Sequence, residues 1–347
     1  MRQLATIQRI KNITPIEGAD SIETAKVLGW QVVVEKGKHA ENDLVVFCEI
    51  DSVLPDDPKR YPEFQFMKER KFRIRTIRLR KQISQGICFP ISIMEGKRHH
   101  EIKEGEDVTE TLGILKYVPH IPACLVGKVK GSFPDFIPKT DETRVQVLQN
   151  VLTRHKGKLC YITEKMDGAS ATYYIKNGVF GVCSRNLELL EDEDNMFWKM
   201  ARELKIKEKL ENFRKNHGIE IAIQGELIGI GIQKNPLKLD KNTVLFFNVF
   251  FIDNFKYADF HDCMDILRTL GLETVPVIRE DFALIDNIDE LIKMATGKSK
   301  LTPLLNREGI VIRPLHEETD LEMSIGLSNA RLTMKAVNPE YLLLNDG

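Results

Sequence analysis

The 347-residue chain has no apolar run approaching the roughly 18 residues that a membrane-spanning helix requires. Its opening stretch, Met-Arg-Gln-Leu-Ala-Thr-Ile-Gln-Arg-Ile, also lacks the continuous apolar core of a secretory signal. Cysteine is sparse: Cys48, Cys88, Cys124, Cys160, Cys183 and Cys263 are scattered, with no Cys-x-x-Cys pair. That speaks against a disulfide framework and a zinc knuckle, and predicts reduced, mostly buried thiols in a cytoplasmic or nuclear protein. His99-His100 has no cysteine or acid at zinc spacing and reads as an exposed turn. Neither charge sign is in excess, since 50 Lys+Arg against 51 Asp+Glu leave a formal net charge of -1. Binding to nucleic acid through bulk positive charge is therefore excluded, whereas a local basic face is not. Internal repeats and low-complexity tracts are absent from the sequence.

Apolar residues at 42% and charged residues at 29% are ordinary for a soluble globular protein with core enough for two domains, and the element pattern that follows is that of an α+β chain. Short apolar runs (Leu4 to Ile10, Ala25 to Val34, Leu44 to Ile50, Phe72 to Leu79, Gly86 to Ile91) alternate with turn residues. They predict a small β-barrel or sandwich over residues 1–110. Residues 111–140, with Pro119, Pro122, Pro134 and Pro138, read as a linker. From residue 141 to 347 helix and strand signals mix. Asp141 is placed to cap a helix with the stripe Val145, Leu148 and Leu152. Strands are expected at Leu159 to Thr163, Ala169 to Ile175, Val179 to Ser184, Ile219 to Ile228, Val244 to Ile252, Ile310 to Arg313 and Leu332 to Val337. Further helices are expected from Asp194 and over Phe260 to Leu270.

Four places carry charge where the pattern calls for none. Glu164-Lys165-Met166-Asp167-Gly168 puts a lysine and an aspartate in a tight turn between apolar strands; a plain hairpin turn with a solvated lysine is the alternative. Glu226 and Glu308 interrupt otherwise apolar strands, and an acid facing a core needs a cation or metal. Both lie beside glycine, where a ligand can approach; a solvent-facing strand position is the alternative. Lys335, in Leu332-Thr333-Met334-Lys335-Ala336-Val337, reads as an inward, paired cation. Residues 68–81 hold eight basic residues and one acid. A β-bulge at Thr76 would set Arg73, Arg75, Arg78 and Arg80 on one face to track nucleic-acid phosphates, the alternative being a solvated edge. Gly297-Lys298-Ser299 is no phosphate-binding loop, because position 292 is isoleucine.

Lys165-x-Asp167-Gly168, Ser184-Arg185-Asn186, Gly225-Glu226, Phe247-x-x-Phe250, Glu308-Gly309 and Lys335 resemble, in order, the motifs of the covalent nucleotidyltransferases: ATP-dependent ligases and mRNA capping enzymes. Pro15-Ile16-Glu17-Gly18-Ala19-Asp20, Val27-Leu28-Gly29-Trp30, Glu49-Ile50-Asp51-Ser52, Ser84-Gln85-Gly86 and Lys139-Thr140-Asp141-Glu142-Thr143-Arg144 resemble the Deinococcus/Naegleria-type RNA ligases. The resemblance implies an N-terminal OB-like β-barrel and a mixed α/β nucleotidyltransferase domain of the ATP-grasp-like ligase kind. It implies an ATP-dependent ligase that works through a lysyl-AMP intermediate and joins an RNA 3'-OH to a 5'-phosphate at duplex nicks. Lys165 would be the nucleophile, with Lys335 and Arg185 assisting. Glu164, Arg144, Arg185, Glu226, Phe250 and Lys335 would contact the nucleotide, Phe250 by stacking on adenine. Asp167, Glu226 and Glu308 would hold Mg2+ or Mn2+. RNA or an RNA-containing nicked duplex is the expected partner, no membrane is expected, and the expected state is a monomer.

Motif V often reads Lys-x-Lys, so Thr333 departs from the pattern, and Arg331 is a candidate for the second cation. Only twelve residues follow Lys335, which favours an RNA ligase over relatives with a C-terminal OB domain. The acidic stretch His316-Glu317-Glu318-Thr319-Asp320 is expected to be a solvated loop. The alternatives in function are a capping-type guanylyltransferase and a non-catalytic nucleic-acid-binding protein.

Overall fold

The computed structural model describes residues 3–96, 102–118, 121, 123–325 and 330–345. His99-His100, and Pro119 and Pro122 of the expected linker, lie outside the described residues. Contacts divide the chain into two units, Met1–Pro119 with Pro339–Gly347, and His120–Asn338.

The first unit is built on an antiparallel five-stranded sheet in the order Trp30–Glu35, Ile22–Val27, Ala5–Pro15, Leu44–Cys48, Ile87–Pro90. Its long central strand changes partner along its length. Residues Ala5 to Arg9 pair with Leu44–Cys48 and Ile10 to Pro15 with Ile22–Val27, across a register shift between Ile10 and Asn12. An irregularity of that kind bends a strand and curls the sheet into a half-barrel. Alternation then turns Ile7, Ile10, Trp30, Val32 and Phe47 into one core with Phe64 and Phe89.

The stretch from Phe72 to Leu79 is not a single strand. Phe72 takes a left-handed φ of 59°, Arg73 makes an isolated bridge with Val53, and Ile77–Leu79 pairs separately with Gln82–Ser84. Arg80 and Lys81 form the two-residue turn of this hairpin, with φ of 45° and 67°. Thr76 prolongs the buried series Phe72 and Ile74, and its hydroxyl accepts a hydrogen bond from Gln85 Nε2 at 3.1 Å. The change of phase in the sequence is thus a buried polar residue at the entry to a hairpin.

The second unit contains two sheets. One has seven antiparallel strands in the order Val129–Ser132, Leu187–Leu189, Val179–Cys183, Ala169–Lys176, Ile221–Ile228, Thr243–Phe251, Lys256–Tyr257. Helices Met196–Glu203 and Ile206–His217 bury Phe197, Met200, Ile206 and Leu210 against its residues Tyr173, Ile175, Ile221 and Ile223. Asn195 caps the first of these helices by accepting from the Phe197 and Trp198 amides. The other sheet runs Thr143–Arg144, Met334–Val337, Gly309–Pro314, Leu159–Lys165, Val277–Ala283, antiparallel except for its first pair. Helices Gln149–Arg154 and Ile288–Ala295 cover one of its faces. Asp141 caps no helix: a short strand and a 3-10 turn intervene before Gln149–Arg154, whose N-cap is Leu148. No described helix is long and apolar enough to cross a membrane.

Candidate active site

Register decides which side chains meet, because paired residues on adjacent strands share a face. Lys165 pairs with Gly309, Val311 with Lys335, and Lys335 with Arg144. Lys165, Lys335, Arg144 and, two residues beyond Val311, Arg313 therefore project from the face that the helices leave bare. Glu164 projects from the opposite face, buried, and accepts from the Lys300 amide at 2.7 Å. In the seven-stranded sheet Ser170, Glu226 and Leu245 lie opposite one another.

Lys165 Nζ donates to Glu308 Oε1 at 2.6 Å, and the second oxygen of Glu308 is buried without a hydrogen-bond partner. Burial works against the Lys165 ammonium, but Glu308, Glu226 and Asp167 outweigh it and hold the amine above the usual lysine range. Burial raises the Glu226 carboxyl to about 8 and that of Glu308 to about 7, against the pull of Lys165. Lys335 moves the other way. Burial, with Lys165 and Arg144 nearby, lowers it to about 8 although Asp141 favours its charge. The sequence-level expectation that Glu226, Glu308 and Lys335 face inward toward opposite charge thus describes their setting. Among the described residues, no three histidine, cysteine or acidic side chains converge as a ready-made metal cage.

The glycines beside the acids do not open space for a ligand. A Cβ on Gly309 would meet the Ala336 carbonyl oxygen at 2.3 Å, one on Gly225 the Leu245 oxygen at 2.6 Å, and one on Gly168 the Leu227 oxygen at 2.3 Å. They let neighbouring backbones approach closely, and so bring the strand of Lys335 against that of Glu308.

Asp141, expected only as a helix cap, and Glu142 enter this site without a role in it having been expected from the sequence. Asp141 accepts from Arg185 Nη2 at 2.9 Å through one oxygen and lies 3.6 Å from Lys335 Nζ through the other. Glu142 accepts from Arg313 Nη2 at 2.9 Å, and Arg313, Lys335 and Lys165 together lower its carboxyl despite its burial. Arg313 is 2% exposed, and its Nε and Nη1 have no hydrogen-bond partner. Arg313 sits in Ile310-Val311-Ile312-Arg313, so a charge at the end of an apolar strand was the available signal, the same kind that marks Lys335.

The aromatics separate in depth. Phe250 is 1% exposed, in a cluster with Tyr174, Cys183, Ala222, Ile252 and Tyr257. Phe247 is half-buried and packs against the cluster of Met166, Ile228 and Leu245, next in sequence to the nucleophile candidate. The Arg313 guanidinium lies 5.4 Å from its ring.

Arg331 is not a spare cation. It is buried, paired through two nitrogens with Glu317, bonded to Asn248 at 3.0 Å and stacked 3.7 Å from the Tyr257 ring. The acidic stretch that holds it is no solvated loop. Glu318 pairs with Lys158, and Asp320 with Arg154 at 2.9 Å and His155 at 2.8 Å. In the first unit, Arg73 stacks 3.5 Å over Tyr117, Arg75 is half-buried, Arg78 donates to Glu340 at 2.6 Å, and Arg80 is exposed in its turn.

A half-barrel followed by two sheets that carry lysine and carboxylate pairs defines the class: an OB-fold domain, matched over residues 4–91, joined to an RNA ligase domain, matched over residues 158–337. The chain belongs to the RNA ligase family. It is similar to a mutant of Naegleria gruberi RNA ligase with ATP and Mn, at 34% identity and a TM-score of 0.87, covering 99% of each chain. It is equally similar to the same ligase with PPi, at 35% identity and a TM-score of 0.87, covering 100% of this chain and 99% of that one. A mutant of that ligase with AMP and Mn gives 35% identity and a TM-score of 0.88 over 99% of both chains. No curated protein sequence matches the chain.

Proposed function

We propose that this RNA ligase uses ATP to form a lysyl-AMP intermediate on Lys165 and seals RNA 3'-OH and 5'-phosphate ends, with nicks in a duplex as its preferred substrate. The observation that carries this reading is Lys165 Nζ, half-buried and 2.6 Å from Glu308, near a second lysine whose proton affinity burial lowers to about 8. The Lys165 amine attacks the α-phosphorus, an N–P bond forms, and the bond to the bridging oxygen breaks to release pyrophosphate. A 5'-phosphate oxygen of the RNA then displaces Lys165 from that phosphorus. The 3'-OH finally attacks the activated end, and AMP leaves.

Lys165 attacks only once deprotonated, so its bond to Glu308 has to open first. Glu308, Glu226 and Asp167 offer the hard oxygen donors that Mg2+ or Mn2+ takes, and the buried, unpartnered Glu308 oxygen fits that use. Bound there, such an ion would neutralise charge on the α-phosphate. Once Glu308 no longer accepts from it, Lys165 would lose its strongest proton-holding partner, and the nearby Lys335 would disfavour the charge further. Lys335 and Arg185 bind the α-phosphate and stabilise its charge as the phosphorus is attacked. Phe247, half-buried beside Met166, is better placed than Phe250 to stack on adenine. Arg144 lies on the same face as Lys335 and contacts the outer phosphates; Glu164, turned to Lys300, supports the nucleophile strand from behind. In this division of labour the first unit, with Arg73, Arg75, Arg78 and Arg80, follows RNA phosphates and the second carries out the transfer; the expected linker 111–140 is no separate segment, since Val129–Ser132 is an edge strand of the second unit and Pro339–Gly347 belongs to the first.

Incubation with labelled ATP or GTP tests the reading. A protein-AMP adduct that Lys165→Ala abolishes is expected; a GMP adduct would identify a guanylyltransferase, and nick sealing by Lys165→Ala would end the lysyl-AMP mechanism.

A further inference from the structure

We propose that Asp141 is an internal counter-ion that occupies the α-phosphate position of the site and is displaced when the α-phosphate of a nucleotide binds. The inference rests on the assignment of Arg185 and Lys335 as phosphate ligands. One carboxylate bridges those two cations, at 2.9 Å and 3.6 Å, through its two separate oxygens. A guanidinium and an ammonium converging on two oxygens are the donors that a phosphate takes.

The backbone around Asp141 is anchored on both sides. The Thr140 hydroxyl is hydrogen-bonded to the Ser170 hydroxyl at 3.0 Å, Gln224 Nε2 donates to the Pro138 carbonyl at 2.8 Å, and Thr143–Arg144 is paired with Met334–Val337. Displacement therefore requires only a side-chain rotation. The side chains of Asp141 and Arg185 are 23% and 53% exposed, so water can take over the carboxylate once it leaves. Glu142 next to it is committed to the buried Arg313, whereas Asp141 bridges two cations of the site, Arg185 and Lys335. Lys335 has a reason to need such a partner. It is buried near Lys165 and Arg144, and Asp141 favours its charged form until a phosphate arrives. An incoming phosphate thus meets preformed cations but has to replace one negative charge already on them.

The test is calorimetric binding of metal-free AMP, which carries the α-phosphate alone, at pH 6.5, to the full-length protein. Asp141→Asn is expected to bind about fivefold more tightly than wild type, and Asp141→Glu, which keeps the charge, to stay near wild type. Should Asp141→Asn fail to fold, Asp141→Ser carries the same comparison. Unchanged or weaker binding by a folded neutral variant overturns the inference, because a purely structural Asp141 would lose affinity when neutralised. If wild type fails to bind AMP, or Lys335→Ala binds it as well as wild type, the phosphate-site assignment fails and the inference with it. If Lys335→Ala weakens binding while neutral Asp141 variants do not tighten it, only the counter-ion inference falls.

Discussion

Lys165 is stored as an ammonium in the ligand-free protein, and its carboxylate neighbours carry the cost. Glu226, raised from 4.5 to about 8 by burial, is protonated more readily folded than unfolded. Its contribution to stability is therefore fully present below about 4.5 and lost as pH rises through about 8. The melting temperature of the ligand-free protein should fall between pH 5 and 8, and Glu226→Gln should flatten part of that fall. An identical slope in both proteins would show that Glu226 titrates as an ordinary carboxyl. The two phenylalanines divide activity from stability. Phe247→Ala should raise the KM for ATP about tenfold, as expected from losing one base-stacking contact, with little change in melting temperature. Phe250, 1% exposed, should cost about 3–5 kcal/mol when cut to alanine and leave KM alone. Steady-state kinetics on both variants decides the matter, and a KM effect at Phe250 instead would return adenine to that ring.

Strand alternation explains most of what the sequence makes legible at the level of elements. Glu226 and Lys335 each break an apolar run, and each faces the bare side of its sheet, whereas Glu308 precedes its strand, Gly309–Pro314, and reaches Lys165 from outside that alternation. The same rule places Glu164, one residue before Lys165, on the other side, where proximity in sequence is misleading. The closing segment between Gly309–Pro314 and Met334–Val337 is harder to read, because a run of acids is the same text whether it is solvated or clamped. Arg331 comes four residues before Lys335 and locks the approach to that strand through Glu317. Arg331→Met should destabilise the protein by about 3–5 kcal/mol in urea unfolding, because it leaves a buried carboxylate uncompensated. Replacing both partners, Arg331→Met with Glu317→Leu, should recover much of that loss. A single substitution costing under about 1 kcal/mol would mean that the pair is effectively in water.

Over the whole molecule a formal charge of -1 hides opposite distributions: a basic hairpin in the first unit, and cations matched by carboxylates in the second. RNA binding should accordingly weaken with salt despite the neutral sum. Arg80→Ala should lower the slope of log affinity against log salt by about one contact. Arg78 should contribute less unless Glu340, its partner at 2.6 Å, is neutralised. Equal slopes for wild type and Arg80→Ala would leave the hairpin as a solvated edge.

By itself the sequence determined which residues carry charge in apolar strands, their order along the chain, and the switch from an all-β segment to mixed helix and strand. Those are properties of local periodicity. Tertiary structure alone decided who meets whom: Lys165 with Glu308, 143 positions away, Asp141 with Arg185, 44 away, and Glu142 with Arg313, 171 away. A period of two tells which face of a strand a side chain occupies, but not which strand lies beside it or which loop folds over it. The bridging of Arg185 and Lys335 by Asp141, the commitment of Arg331 and the different depths of Phe247 and Phe250 all depend on that second kind of information.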